Sequence, residues 1–437
     1  MNAPATVPIR LVAGARRALA HCDELAGVSS LPDAIERVHL STEHKVANAL
    51  TAAWMRGAGL ETWVDAAGNL CGRMEGREPG LPALVLGSHL DTVTDAGRYD
   101  GILGVLLAIE VADRIRRSGR ALPFALEVVG FTDEEGTRFG NALFGSRAFA
   151  GAVTDGWFDI RDRRGTTMRD AARTFGLHPE RIGEAARDPE DLVGYLEVHI
   201  EQGPWLLEAG RALGVVTSIA GARRFALQMR GSAGHAGGTP YARRRDALVG
   251  LAEVVAEVER IAIETRTIGT VGRIRAWPGG INVVPGLARA SLDLRAEHDA
   301  DRDAAFERID AFARAVAERR GLEWSTEQIY RADAVACDSA LRAAVEAGVR
   351  ATGDLEPMAL WSRAGHDGMA VADVTGFAML FLRCGNGGIS HHPDETVTEA
   401  DVAVALDAFE AAVLAVADRF EADTRPGLPV DVLPGRS

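Results

Sequence analysis

Lysine is almost missing from this sequence: Lys45 is the only one, so nearly all of the 48 basic residues are arginine. A coding bias toward arginine explains most of that imbalance, although arginine also makes the better two-pronged grip on a carboxylate. Cysteine is scarce and scattered. Cys22, Cys71, Cys337 and Cys384 form no CxxC pair, which fits neither a disulfide scaffold nor a zinc ribbon and points to a reducing cytosol. No stretch approaches the roughly 18–20 apolar residues needed to span a bilayer. The N-terminal segment carries Arg10, Arg16 and Arg17 but lacks the apolar run of a secretory signal. A cytoplasmic protein is expected. Positive charge is also in deficit overall, with a formal net charge of −14. That argues against nucleic acid or an anionic membrane as the main partner. A small anionic substrate stays open, because local arginines outweigh a global sign.

What remains is an ordinary globular balance of 437 residues, 47% hydrophobic and 25% charged, long enough for two or three domains. From about residue 40 to 150, strand and helix patterns alternate. Ala83–Gly87 reads as a short buried strand running into Ser88-His89-Leu90-Asp91. Leu103–Arg117 has helical spacing, with Gly119 as its stop. Phe124–Phe131 and Leu192–Ile200 are further strands, ending in Thr132-Asp133-Glu134-Glu135-Gly136 and His199-Ile200-Glu201-Gln202-Gly203. This order predicts an α/β fold with a mostly parallel sheet covered on both faces, its polar clusters at the carboxyl ends of the strands.

The middle of the chain changes character. Arg224–Met229, Ile268–Ala276, Ala288–Ala296 and Glu323–Tyr330 read as strands, with helices at Asp246–Glu264 and Asp301–Arg320. The β-α-β-β-α-β order is that of a ferredoxin-like α+β unit. After Asp338 the first pattern resumes, with Phe377–Leu382 leading into Gly387-Gly388-Ile389-Ser390-His391-His392. The expected organisation is a larger domain in two parts, 1–212 and 331–437, with a smaller inserted unit at 213–330; a Pro/Gly-containing tail follows Thr424.

Taken singly, a histidine after a strand is more often structural than a ligand, and Asp-Glu-Glu is usually a solvated turn. Here His89, Asp100, Glu135, His199 and His391 fall in four separate loops at strand ends. Nitrogen and carboxylate donors in this mix suit two divalent ions such as zinc, manganese, cobalt or nickel. Asp100, set between Tyr99 and Gly101 before a helix, is placed to bridge them. Adjacent Glu134 and Glu135 point in different directions, so one binds metal while the other serves as general base.

These segments carry a resemblance. GSHLDTV (87–93), GRYDG (97–101), TDEEG (132–136), HIEQGP (199–204), GHAGGTP (234–240), NVVP (282–285), LDLR (292–295), AGHDG (364–368) and GISHHPDE (388–395) resemble the metallopeptidase-related, M20-type amidohydrolases. Within them the chain is similar to the hydantoinase/carbamoylase branch, which holds N-carbamoyl-L-amino acid hydrolases, β-ureidopropionases and allantoate amidohydrolases. The resemblance spans about residues 40 to 420. It implies an α/β/α metal-dependent hydrolase domain with an inserted lid and dimerisation domain. It implies one metal on His89, Asp100 and His199, a second on Asp100, Glu135 and His391, Glu134 as general base, and Asp91 orienting His89. It implies Gln202, Arg224, His235, Asn282 and Arg295 as substrate-binding residues, with Arg223 competing with Arg224 for that place. It also implies a homodimer whose lid residues are shared between subunits. Gly238, Arg363 and His392 depart from the branch's usual Thr, Gly and Asn. None removes a ligand, but Arg363 and His392 bear on pocket size and charge. DAGRYDGILGV and RCGNGGISHHPDE look most like allantoate amidohydrolases. The rivals are an N-carbamoyl-L-amino acid hydrolase, a dipeptidase with the same centre, and a non-catalytic binding protein. The last is disfavoured because the chain keeps Glu134 beside every ligand.

Overall fold

Apolar runs punctuated by turn residues assemble two sheets. The computed structural model describes residues 9–423; the tail after Thr424 lies outside them. The first compact unit is built from three stretches, the residues up to Thr217, Cys337–Leu360 and the residues from His366 on, and the second is Ser218–Ala336 with Trp361–Gly365.

In the first unit a nine-stranded sheet contains, side by side, Glu61–Val64, Leu70–Met74, Ala125–Phe131, Ala83–His89, Leu192–Ile200, Phe377–Leu382 and Leu213–Ile219. The central four run parallel: Ala83–His89 pairs with Ala125–Phe131 and Leu192–Ile200, and the latter with Phe377–Leu382. Every residue of Ala83–His89, Ala125–Phe131 and Phe377–Leu382 is buried, as parallel strands covered on both faces must be. The flanks are antiparallel. Helix Ile102–Ser118 packs on the parallel strands and ends at Gly119, whose φ of 71° takes the left-handed cap that glycine adopts without strain. Each of its buried Leu, Val and Ile side chains contributes roughly 1.5–3 kcal/mol of apolar transfer. Thus the fold is a mixed α/β one.

The second unit pairs four antiparallel strands in the spatial order Glu323–Ala332, Gly221–Arg230, Leu287–Ala296, Ile268–Trp277. Helices Ala247–Thr265 and Asp299–Arg320 connect them in β-α-β-β-α-β order. Asp246 caps the first helix by accepting from the N–H groups of Leu248 and Val249. Phe225, Leu227 and Met229 alternate inward with Ala288, Ala290, Leu292 and Leu294, packing on Leu251, Val254, Ile309 and Val316 of the helices. A period of two therefore sends Arg224, Asp293 and Arg295 to the sheet's other face. The expected division at residue 213 meets the start of strand Leu213–Ile219, and the compact units divide between Thr217 and Ser218, inside that strand. Among the described residues, no helix is long and apolar enough to cross a membrane.

Candidate metal centre

The parallel strands of the first unit deliver polar residues to one end of the sheet. His89 closes its strand, Glu134 and Glu135 follow Phe131, and His199 is the last residue but one of its strand, before Ile200. Asp100 stands just before helix Ile102–Ser118. Gly101, at φ 70°, is required there: a Cβ would lie 2.3 Å from His89 Nε2. His391 also sits at positive φ, 55°, in the loop after Phe377–Leu382.

Asp100 faces two ways. Its Oδ1 lies 3.2 Å from His199 Nε2 and 4.0 Å from His89 Nε2. Its Oδ2 lies 3.0 Å from His391 Nε2, which is 3.3 Å from Glu135 Oε1. The sets His89–Asp100–His199 and Asp100–Glu135–His391 each bring their ligand atoms within 4.8 Å of one another and share Asp100. His89, Glu134 and Glu135 form a further set at the same spacing. The structure thus brings together all five expected metal ligands and Glu134.

The donor chemistry fits cations. His89 Nδ1 and His199 Nδ1 lie 3.1 and 2.8 Å from the carbonyls of Asp91 and Ile200. A carbonyl only accepts, so each Nδ1 carries the proton and each Nε2 keeps a lone pair aimed at the Asp100 side. His199 Nε2 is buried without a hydrogen-bond partner. A lone pair facing a carboxylate oxygen is repulsive unless positive charge sits between them.

The electrostatics agree. Burial pushes the His89 imidazole down. Burial, then the charges of Glu135 and Asp367, push Glu134 well above the usual carboxylate range. Burial and Asp100 do the same to Glu135. At Asp100, burial is outweighed chiefly by the His391 hydrogen bond, which holds it below that range. The Asp100 hydrogen bond raises His391 to about 9.

Two neighbours sit close by. Gln202 Nε2 donates to Asp100 Oδ2 at 3.1 Å and Oδ1 at 3.2 Å. Asp91 reaches His89 mainly through its own carbonyl, its carboxylate lying 3.8 Å from Nδ1. That carboxylate instead accepts the N–H groups of Glu134 and Glu135, at 3.0 and 3.2 Å.

The remaining expected residues belong to the second unit. Arg224 and Arg295 converge on Asp293 from the sheet's uncovered face, each with an Nε–O distance of 2.8 Å. Arg223 points the other way, to Asp303 of the helix at 2.9 Å and over Phe225 and Phe306. His235 and Asn282 lie beside each other on short paired segments, with Ala236 N–H donating to the Asn282 carbonyl at 2.9 Å. Gly238 N–H donates to His235 Nδ1 at 2.9 Å. Arg363 stacks on Trp361, and its carbonyl accepts from Arg295. His392 turns to its own loop, accepting from Asp394 N–H.

Sequence reasoning missed three buried side chains around the centre. His366 packs its ring on His199 with centroids 4.4 Å apart, and joins His199 and Glu197 in a compact set. Glu197 accepts from Ser88 at 2.8 Å, and Asp367 lies buried among these groups. The signal was present for two of them, in the AGHDG segment, but no spacing rule links it to His199.

A family model described as Peptidase family M20/M25/M40 matches residues 85–415. An N-carbamoyl-L-amino-acid amidohydrolase from Pseudomonas sp. is 38% identical over 388 residues, covering 87% of this chain and 93% of that one. An allantoate deiminase from Arabidopsis thaliana is 38% identical over 419 residues, covering 89% and 80%. The crystal structure of an amidase of the hydantoinase/carbamoylase family from Burkholderia multivorans superposes with a TM-score of 0.84 at 33% identity, covering 92% and 98%.

Proposed function

The chain belongs to peptidase family M20/M25/M40 and is a hydrolase of its amidohydrolase kind, and on that premise we propose that it cleaves a ureido C–N bond of a small carboxylic acid, with allantoate as substrate. The observation that carries the reading is Asp100, whose two oxygens face two separate donor sets beside a buried Glu134. His89, Asp100 and His199 would hold one divalent ion, and Asp100, Glu135 and His391 the other. Ions held there supply Lewis acidity at the carbonyl under attack. Glu134, made more basic by burial and by its carboxylate neighbours, takes the proton of the attacking water and returns it to the leaving nitrogen. Asp91 keeps that glutamate in place through the backbone of residues 134 and 135. Gln202 holds Asp100 in its two-sided orientation.

Arg295 and Arg224 set two guanidinium groups against the single carboxylate of Asp293, and the net positive charge left there receives the carboxylate of an anionic substrate. His235 and Asn282 serve as hydrogen-bond donors to the oxyanion of the tetrahedral intermediate. The second unit acts as lid and dimerisation element. Its edge strands Ile268–Trp277 and Glu323–Ala332 leave Ile274, Trp277, Ile329 and Tyr330 exposed, surface that a second copy covers.

N-carbamoyl-L-amino acids are the second reading, favoured by the Pseudomonas sp. relative. A panel of allantoate, N-carbamoyl-L-amino acids, β-ureidopropionate and dipeptides, assayed with manganese, cobalt or zinc, separates them. Allantoate is expected to release ammonia with the highest kcat/KM. A clear preference for N-carbamoyl amino acids moves the assignment to the second reading, and cleavage of dipeptides alone overturns both.

A further inference from the structure

Glu395 is a buried carboxylate that belongs to neither ligand set among the described residues. Its Oε1 accepts two successive backbone N–H groups, those of Tyr99 at 2.8 Å and Asp100 at 3.2 Å. Its Oε2 accepts the hydroxyl of Ser390, the residue before His391, at 2.7 Å. One side chain thereby ties the loop of the shared ligand Asp100 to the loop of His391, about 290 residues away in sequence. Both its oxygens are engaged by donors, so it has little left to offer a cation.

The loop is shaped around this carboxylate. Gly97 is buried against it, and a Cβ at that position would lie 2.2 Å from Glu395 Oε1 and 2.3 Å from Cδ. Such a Cβ has no room unless the carboxylate withdraws from Tyr99 and Asp100. The arrangement repeats the one across the site, where Asp91 takes the N–H groups of Glu134 and Glu135. Each loop bearing a carboxylate ligand is therefore held by a second carboxylate from another part of the chain.

We infer that Glu395 is a positioning residue that presets Asp100 and His391 for the second metal before any metal arrives, acting through the amides of Tyr99 and Asp100 and the hydroxyl of Ser390. The inference rests on the proposed ligand assignment, and the loss of Glu395 acts on the Asp100–Glu135–His391 site. His89 and His199 are anchored by their own carbonyl contacts and Gln202 still donates to Asp100, so the first site, which shares Asp100, is weakened less and keeps its ion.

Three variants of the full chain test this: Glu395→Ala, Glu395→Gln and Gly97→Ala. Glutamine preserves the interaction, because its carbonyl oxygen accepts the two N–H groups and its amide donates to Ser390. Metal-stripped protein is titrated with Mn²⁺ by calorimetry and metal analysis, and backbone exchange of residues 97–101 is followed in the stripped protein. Wild type and Glu395→Gln are expected to take up two ions per chain. Glu395→Ala and Gly97→Ala are expected to keep one and to exchange the Tyr99 and Asp100 amides at least about tenfold faster. Two ions bound with wild-type affinity in both disrupted variants, or unchanged exchange, overturns the inference. Loss in Glu395→Gln equal to that in Glu395→Ala also overturns it, since charge rather than hydrogen bonding would then be at work. Should Glu395→Ala not fold, Gly97→Ala and Glu395→Gln decide alone. A wild type that binds no Mn²⁺ refutes the ligand assignment instead, and the exchange measurement still judges the clamp.

Discussion

Glutamine at position 134 keeps the size and shape of the side chain and removes its ability to accept a proton. Glu134 is buried, lies within 4.8 Å of ligand atoms of His89 and Glu135, and is pushed well above the usual carboxylate range by burial and by Glu135. Removing a positioned base costs about 10²–10⁴ in rate, which at about 1.36 kcal/mol per decade is roughly 2.7–5.4 kcal/mol of transition-state stabilisation. Glu134 belongs to neither set that shares Asp100, so the ions stay bound. The assay is ammonia release under saturating allantoate with Mn²⁺ present, alongside metal analysis of the same samples. Glu134→Gln should drop kcat into that range at two ions per chain. If it loses an ion while Glu135→Gln keeps both, the two roles are exchanged; if kcat falls less than about tenfold, Glu134 is not the base.

A site completed across the proposed dimer would let inactive Glu134→Gln and His235→Ala regain activity when mixed under subunit exchange; proven exchange without recovery refutes a role in trans. Arg37 is buried and donates to the carbonyls of Leu90, Leu25 and Val28. Arg37→Met should therefore cost at least about 3 kcal/mol in denaturant unfolding, at roughly 1 kcal/mol or more per abandoned carbonyl. A loss below about 1 kcal/mol contradicts that accounting. Burial holds His44 down at about 3 and pushes His39 down as well. The unfolded chain thus takes up protons below about pH 6.5 that the folded chain refuses, so stability should fall as pH drops through that value, by up to about 1.4 kcal/mol per pH unit for each histidine. Denaturation midpoints of His44→Asn should show a shallower acid limb; an identical limb rules out His44 as a contributor.

The parallel strands were legible because Phe377–Leu382 is a continuous apolar run and Ala83–His89 and Ala125–Phe131 are nearly so, broken only by the terminal Ser88-His89 and by Glu127, a pattern that burial on both faces produces. The flanking strands were not. Leu70–Met74 carries Gly72 and Arg73, and Glu61–Val64 is four residues of mixed character, so periodicity had nothing to grip. In the second unit, alternation along Gly221–Arg230 marked the strand. Only the structure shows that Arg224 rather than Arg223 lies on the uncovered face with Arg295, because facing follows from register and helix placement. At the centre, the donor types and their strand-end positions were readable. What could not be read is how carboxylates reach backbone amides across the chain. Asp91 adjoins a ligand loop in sequence, yet its carboxylate serves residues 134 and 135, and Glu395 serves residues 99 and 100. Such contacts depend on three-dimensional closure and leave no spacing signature.

Titrating Mn²⁺ back into metal-stripped protein while following ammonia release from allantoate tests the two-metal assignment most directly. No ammonia should form without metal, and the rate should rise to a plateau at two equivalents per chain. Full activity in the stripped protein, or a plateau at one equivalent, contradicts the account.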